Sequence, residues 1–162
     1  MHAWLVFLHV LAVFGFLIAH GVSATVAFAL LKERDLERIK LLLEISGNSY
    51  GIMYPSLIVL FITGIISGFT GKWWGEGWIW VSIVLFIALI VAMGVLGGAI
   101  YGGARKAAGL PYADRGKPQP PVPPAPREEL DAILSKGQPM LLTIIGYGGV
   151  AILAWLMMFK PF

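Results

Sequence analysis

Four long apolar runs, separated by polar or glycine-rich segments, dominate the pattern of this chain. Residues 3–31 carry no formal charge. As an α-helix this run would extend roughly 43 Å, longer than the hydrocarbon core of a bilayer, which predicts a tilted span. Further runs at 50–69, 78–101 and 139–159 are each long enough to cross. Backbone groups in lipid must be satisfied within their own segment, so such runs read as helices. The expected fold is an all-α integral membrane four-helix bundle, one transmembrane domain covering 1–162, with connectors at 32–49 and 102–138. A secretory leader is the rival reading of the first run, because Val22, Ser23 and Ala24 resemble a cleavage site. Against it, the start lacks Lys or Arg and the apolar run is too long.

The connectors have patterns of their own. In 32–49, Leu36, Ile39 and Leu43 recur at helical spacing, predicting an interfacial amphipathic helix or an extension of the first span. Gly47, Asn48 and Ser49 then supply a break and a possible N-cap. Spans two and three are joined by a short turn rich in Gly and Trp. In 102–138, prolines from Pro118 to Pro126 predict an extended polyproline strap, followed by a short helix over 127–136 that ends at Gly137. Glu128, Glu129 and Asp131 read as the solvated face of that helix.

Composition supports the membrane reading. Hydrophobic residues make up 58% and charged residues 13% of the 162 positions, against about half and a quarter in soluble domains. The net charge of +3 does not point to nucleic acid, because its distribution follows the positive-inside rule. Lys32, Arg34, Arg38 and Lys40 lie in the first connector, and Arg105, Lys106, Arg115, Lys117, Arg127 and Lys136 in the second. Only Lys72 and Lys160 fall on the other side. The six tryptophans, Trp4, Trp73, Trp74, Trp78, Trp80 and Trp155, collect near that other side as an aromatic belt. Both signals place the two charged connectors in the cytoplasm and both termini outside, in a multi-pass protein of the cell inner (plasma) membrane.

Small residues predict how the spans meet. Gly64 and Gly68 are flanked by Thr63 and Ser67, Gly94, Gly98 and Gly102 repeat at the same interval, and Gly146, Gly148 and Gly149 follow. Such spacing lets helix backbones approach closely in lipid. These faces suit a bundle and, beyond it, a homodimer or a larger membrane complex.

The three histidines, His2, His9 and His20, are the main chemical feature. Steps of seven and eleven residues keep them within roughly 20° of one another on a helix. Ala12, Phe16, Ser23, Ala24 and Ala27 share their face. Trp4, Phe7, Leu8, Leu11, Phe14, Ile18, Val22 and Val26 form the opposite, bulky face expected to meet lipid. The histidines are therefore expected to point inward, and an ionisable group at that depth is by default a functional hypothesis. For His9 and His20 two readings stand: a structural hydrogen bond to Ser, Thr, Tyr or a carbonyl, or ligation of a cofactor or metal. His2 reads as an interfacial residue. His9 and His20 are about 16 Å apart along one helix, too far to be both axial ligands of one haem. A sixth ligand would come from another protomer's histidine or from Met53, Met93 or Met140, each of which also reads as core packing. An open sixth position would bind a gas.

Other chemistry is poorly served. There is no cysteine, hence no disulfide, thiolate metal site or thiol redox centre. The glycines of span three lack the lysine and strand context of a phosphate loop. Ser23, Ser56 and Ser67 lack a base and orienting partner. No predicted span contains Asp or Glu, which weakens proton-pump and cation-transport readings.

The opening Trp4-Leu5-Val6-Phe7-Leu8-His9-Val10-Leu11, followed by a small-residue-rich helix and three more spans, resembles a loose group of small bacterial four-helix membrane proteins. The group includes uncharacterised integral membrane proteins, copper-resistance D-like membrane domains and HemJ-type protoporphyrinogen oxidases. The HemJ-type resemblance implies haem b on a first-span histidine, matched here by His9. The copper-resistance resemblance implies copper handling near the outer side, here through His2 and methionines. The basic residue and further motifs of a HemJ-type bundle are missing, as is a Met-rich or His-rich copper cluster, so enzyme identity is not carried over. The leading expectation is haem b ligated by His9, or secondarily His20, for electron transfer or diatomic ligand binding. The alternatives are a non-catalytic accessory or scaffold subunit of a larger complex and, more weakly, copper handling.

Overall fold

The computed structural model describes residues 2–114 and 116–162. Arg115, assigned above to the second connector, lies outside the described residues. The protein is predominantly helical. Helix α1 spans His2–Leu30, α2 Leu36–Gly71, α3 Gly77–Ala107, α4 Arg127–Ser135 and α5 Pro139–Phe159. A 3-10 turn at Trp73–Gly75 joins α2 to α3, and strands β1 (Tyr112–Asp114) and β2 (Lys117–Gln119) pair antiparallel between α3 and α4. The hairpin is an addition to the polyproline strap expected there. Helices α1, α2, α3 and α5 are each long and apolar enough to cross a membrane, which makes this a multi-pass membrane protein. Helix α1 lies along α2, α3 along α5, and α1 also meets α5, whereas α2 and α3 touch little.

Helix α2 runs straight through the break expected at Gly47, Asn48 and Ser49. Asp35 is its actual N-cap, accepting from the Arg38 N–H at 2.9 Å. The reason is tertiary. The Arg105 guanidinium of α3 fills the space where a Gly47 side chain would stand, and donates to the Leu43 carbonyl at 3.0 Å. Ser49 donates to the Ser46 carbonyl at 2.7 Å, and its hydroxyl pairs with Ser23 of α1 at 3.1 Å instead of capping a new helix. Glycine here admits a neighbour.

At the end carrying the charged connectors, Leu30, Ile39, Leu43, Ala107, Leu130 and Leu134 join one buried cluster. Val26 belongs to it at 5% exposure, so it does not share the lipid-facing role expected of its face. Trp4, Phe7, Leu11, Phe14 and Ile18 on that face are exposed. The strap is fastened by this chain itself: the Ala125 N–H donates to the Ala107 carbonyl at 2.9 Å, and Pro124 sits over Gly109, whose φ of 78° favours glycine. Leu130 and Leu134 turn the inner face of amphipathic α4 onto the same core.

The glycine faces divide. Gly64 and Gly68 of α2 and Gly146 and Gly149 of α5 have side chains of neighbouring helices over them, whereas Gly94, Gly98 and Gly102 of α3 and Gly148 of α5 face open space.

Candidate functional site

Because α1 and α2 pair closely while α2 and α3 diverge, a cavity of about 660 Å³ remains among the four long helices. It falls within the roughly 300–1,000 Å³ of ordinary cofactor and ligand sites. His2, His9 and His20 all line it, together with apolar side chains such as Leu60, Phe86, Leu89 and Val150. The step from His2 to His20 makes the lined length about 27 Å along α1. The three histidines thus share one chamber, but their surroundings differ.

His9 is half-buried, and its Nδ1 lies 2.8 Å from Oγ1 of Thr63 in α2. The Thr63 hydroxyl also lies 2.6 Å from the Val59 carbonyl, one turn back on the same helix. With the hydroxyl proton on that carbonyl, Thr63 accepts and His9 Nδ1 is the donor; with the proton turned to His9, the roles reverse. In the first arrangement the lone pair of neutral imidazole resides on Nε2, the tautomer a metal-binding histidine needs. The imidazole lies over Gly64, where an added methyl would stand in ordinary van der Waals contact with His9 Cε1, at 3.5 Å.

His20 is more enclosed, at 3% exposure. Its ring stacks on Phe16, with centroids 5.8 Å apart and planes 2° from parallel, and meets the Tyr147 edge at 4.9 Å. Nε2 is buried without a hydrogen-bond partner. It points at Gly146 of α5, where any side chain would collide with it. That nitrogen faces helix backbone instead of open volume, so His20 serves as a wall of the chamber more readily than as a ligand through Nε2. His20 and Met93 also line a second cavity of about 100 Å³, bordered by Ser23, Ser46, Tyr50 and Tyr101.

His2 is exposed at the tryptophan end, its Nδ1 3.2 Å from Thr70 Oγ1 and its ring edge-on to Trp73 at 5.7 Å. Of the methionines considered as a further ligand, Met93 lines the large cavity, Met53 only the smaller one, and Met140 is 61% exposed. Met157 of α5 also lines the large cavity, although its sequence neighbourhood reads as plain span. Thr63 reads as one of the small packing residues beside Gly64. The signal available is that a hydroxyl at bilayer depth needs a partner.

Among the described residues, no three His, Asp or Glu side chains gather closely enough to hold a metal ion. A bare ion would find one imidazole at His9 and little else. A haem iron already has its macrocycle nitrogens and needs only an axial donor, so the residues present fit haem better than a free metal. Comparison with protein-family models, curated proteins and solved structures found no match.

Proposed function

We propose that this chain is a haem-b-binding membrane protein, with His9 Nε2 as axial ligand and a role in electron transfer or diatomic ligand binding. The observation that carries the reading is the 2.8 Å contact of His9 Nδ1 with Thr63 Oγ1 at the wall of the large cavity, which engages Nδ1 and orients the ring; with Nδ1 as donor, Nε2 holds the lone pair. The chamber of about 660 Å³ has a mostly apolar lining, which suits the macrocycle of such a group. Haem, when bound, supplies one-electron chemistry and an iron position for a gas. The chain's own contributions are the donor at His9, its orientation by Thr63, and walls formed by His20, Phe16 and Met93. The resemblance of the His9 segment to HemJ-type first spans agrees with this assignment.

The protein is proposed to lie in the cell inner membrane as a four-helix bundle with both termini outside, since basic residues gather at one end and tryptophans at the other. The test is extraction of detergent-purified protein from haem-replete cells, followed by quantitation of the pigment. Near-stoichiometric haem b supports the reading, and colourless protein rejects it.

A second reading has its own support. Gly94, Gly98 and Gly102 leave one face of α3 without a neighbour, which suits close approach by another transmembrane helix. Under this reading the chain is an accessory subunit or a homodimer. Isolation in mild detergent separates the two: a colourless chain always recovered with another membrane protein favours the accessory role.

A further inference from the structure

The large cavity reaches the tryptophan end, where Trp73 and Trp78 line it, and among the described residues Lys160 is its one formally charged lining side chain. Three observations mark this lysine as a placed group. Its backbone adopts the left-handed conformation, φ 44°, while its N–H caps α5 through the Leu156 carbonyl at 3.0 Å. A non-glycine residue held there costs on the order of 1 kcal/mol, so surrounding structure must fix it. The following tail turns back, and the Phe162 carbonyl accepts from the Trp78 N–H at 3.0 Å. Finally, Nζ lies 3.9 Å from the centre of the Trp73 ring and 5.6 Å from that of Trp78.

Lys160 makes no ion pair among the described residues, and Glu76, the acidic residue on the same side, makes none either. Among the described residues, the ion pairs are Lys40 with Glu37 and Arg127 with Asp131, both at the opposite end. Basic residues are sparse on the Lys160 side, where only Lys72 joins it. An unpaired cation at the rim of an apolar chamber is suited to an amphiphile whose body enters while its anionic end stays at the rim. His2 and Lys160 both touch Trp73, which puts Lys160 about two helical turns, roughly 10 Å, from His9 along α1.

Resting on the haem reading above, we propose that Lys160 is the anion-holding residue of the chamber, pairing with the carboxylate edge of a haem ligated at His9. It fixes which edge of the macrocycle faces the tryptophan end. Carboxylates left in the apolar chamber instead would be unpaired, a costly arrangement.

The test is optical titration of apoprotein with haem b and with haem b dimethyl ester, in which both carboxylates are blocked. Wild type should bind haem b about tenfold more tightly than Lys160→Gln, the effect of one charge-assisted contact at a part-exposed site. Lys160→Arg should retain wild-type affinity. The ester should bind wild type and Lys160→Gln equally, each at the weakened level. Equal affinity of wild type for haem b and its ester overturns the proposal for Lys160 while leaving the haem reading intact, and this arm needs no variant to fold. A wild-type apoprotein that takes up neither compound overturns the haem reading and this inference with it.

Discussion

The Nδ1 of His9 in α1 lies 2.8 Å from the Thr63 Oγ1 in α2, and that oxygen lies 2.6 Å from the Val59 carbonyl. One hydroxyl thus holds the ring of an imidazole 54 residues away in sequence. Outer partners of this kind typically change metal affinity by about 10- to 100-fold. Thr63→Val keeps the shape and removes the hydroxyl, so haem affinity in an optical titration should fall within that range. Thr63→Ser should bind nearly as wild type. Unchanged affinity in Thr63→Val would mean that the bond does not orient a ligand.

His20 and Gly146 make a second linked pair. Gly146→Ala drives a methyl into the His20 imidazole, and overpacking of this kind costs about 1–3 kcal/mol. Thermal unfolding in detergent should show that loss, and His20→Ala should abolish it when the two changes are combined, because neighbours are not additive. His20→Leu removes a buried nitrogen that has no partner and should not lower the melting temperature. It should also leave the haem spectrum in place. Loss of the spectrum in His20→Leu with His9 intact would transfer the ligand role to His20.

The cap outside the long spans should be separable from the chamber. Leu130 of α4 is 1% exposed in the cluster with Ile39 and Leu43. Leu130→Ala should cost roughly 2–5 kcal/mol. The strap, fastened through Ala125 and Pro124, should become sensitive to limited proteolysis while haem binding persists. Loss of haem together with the cap would indicate one cooperative unit.

The α1 to α2 turn should respond to acid. The Glu33 carboxylate accepts from the backbone N–H groups of Asp35 at 2.9 Å and Arg34 at 2.7 Å, which hold it below the usual carboxylate range. A depressed carboxylate stabilises the folded turn above its ordinary titration range, and that contribution fades as pH falls through the lowered value. Protection factors of the Arg34 and Asp35 amides, corrected for the intrinsic pH dependence of exchange, should therefore fall on acidification in the wild type and stay level in Glu33→Gln. Parallel behaviour of the two proteins would contradict this account of the turn.

Much of the fold can be read from apolar run lengths, since only helices satisfy the backbone across such stretches in lipid. The histidine stripe is equally legible, because steps of seven and eleven residues fix a helix face without reference to any neighbour. What escapes the sequence depends on contacts between distant segments. Gly47 reads as a break, yet its missing side chain admits Arg105. Thr63 and Gly146 read as packing residues, and their importance to the two imidazoles follows only from the way α2 and α5 lie against α1. Val26 falls on the expected lipid face but lies low enough on α1 to enter the terminal core. The β1 to β2 hairpin is hidden in a segment whose prolines advertise extended chain.

The most direct measurement is the visible spectrum of His9→Ala, purified beside wild type from cells with ample haem. The account predicts a Soret band in wild type and its loss in His9→Ala, with both proteins equally folded by circular dichroism. A His9→Ala protein that keeps the wild-type band would contradict the assignment.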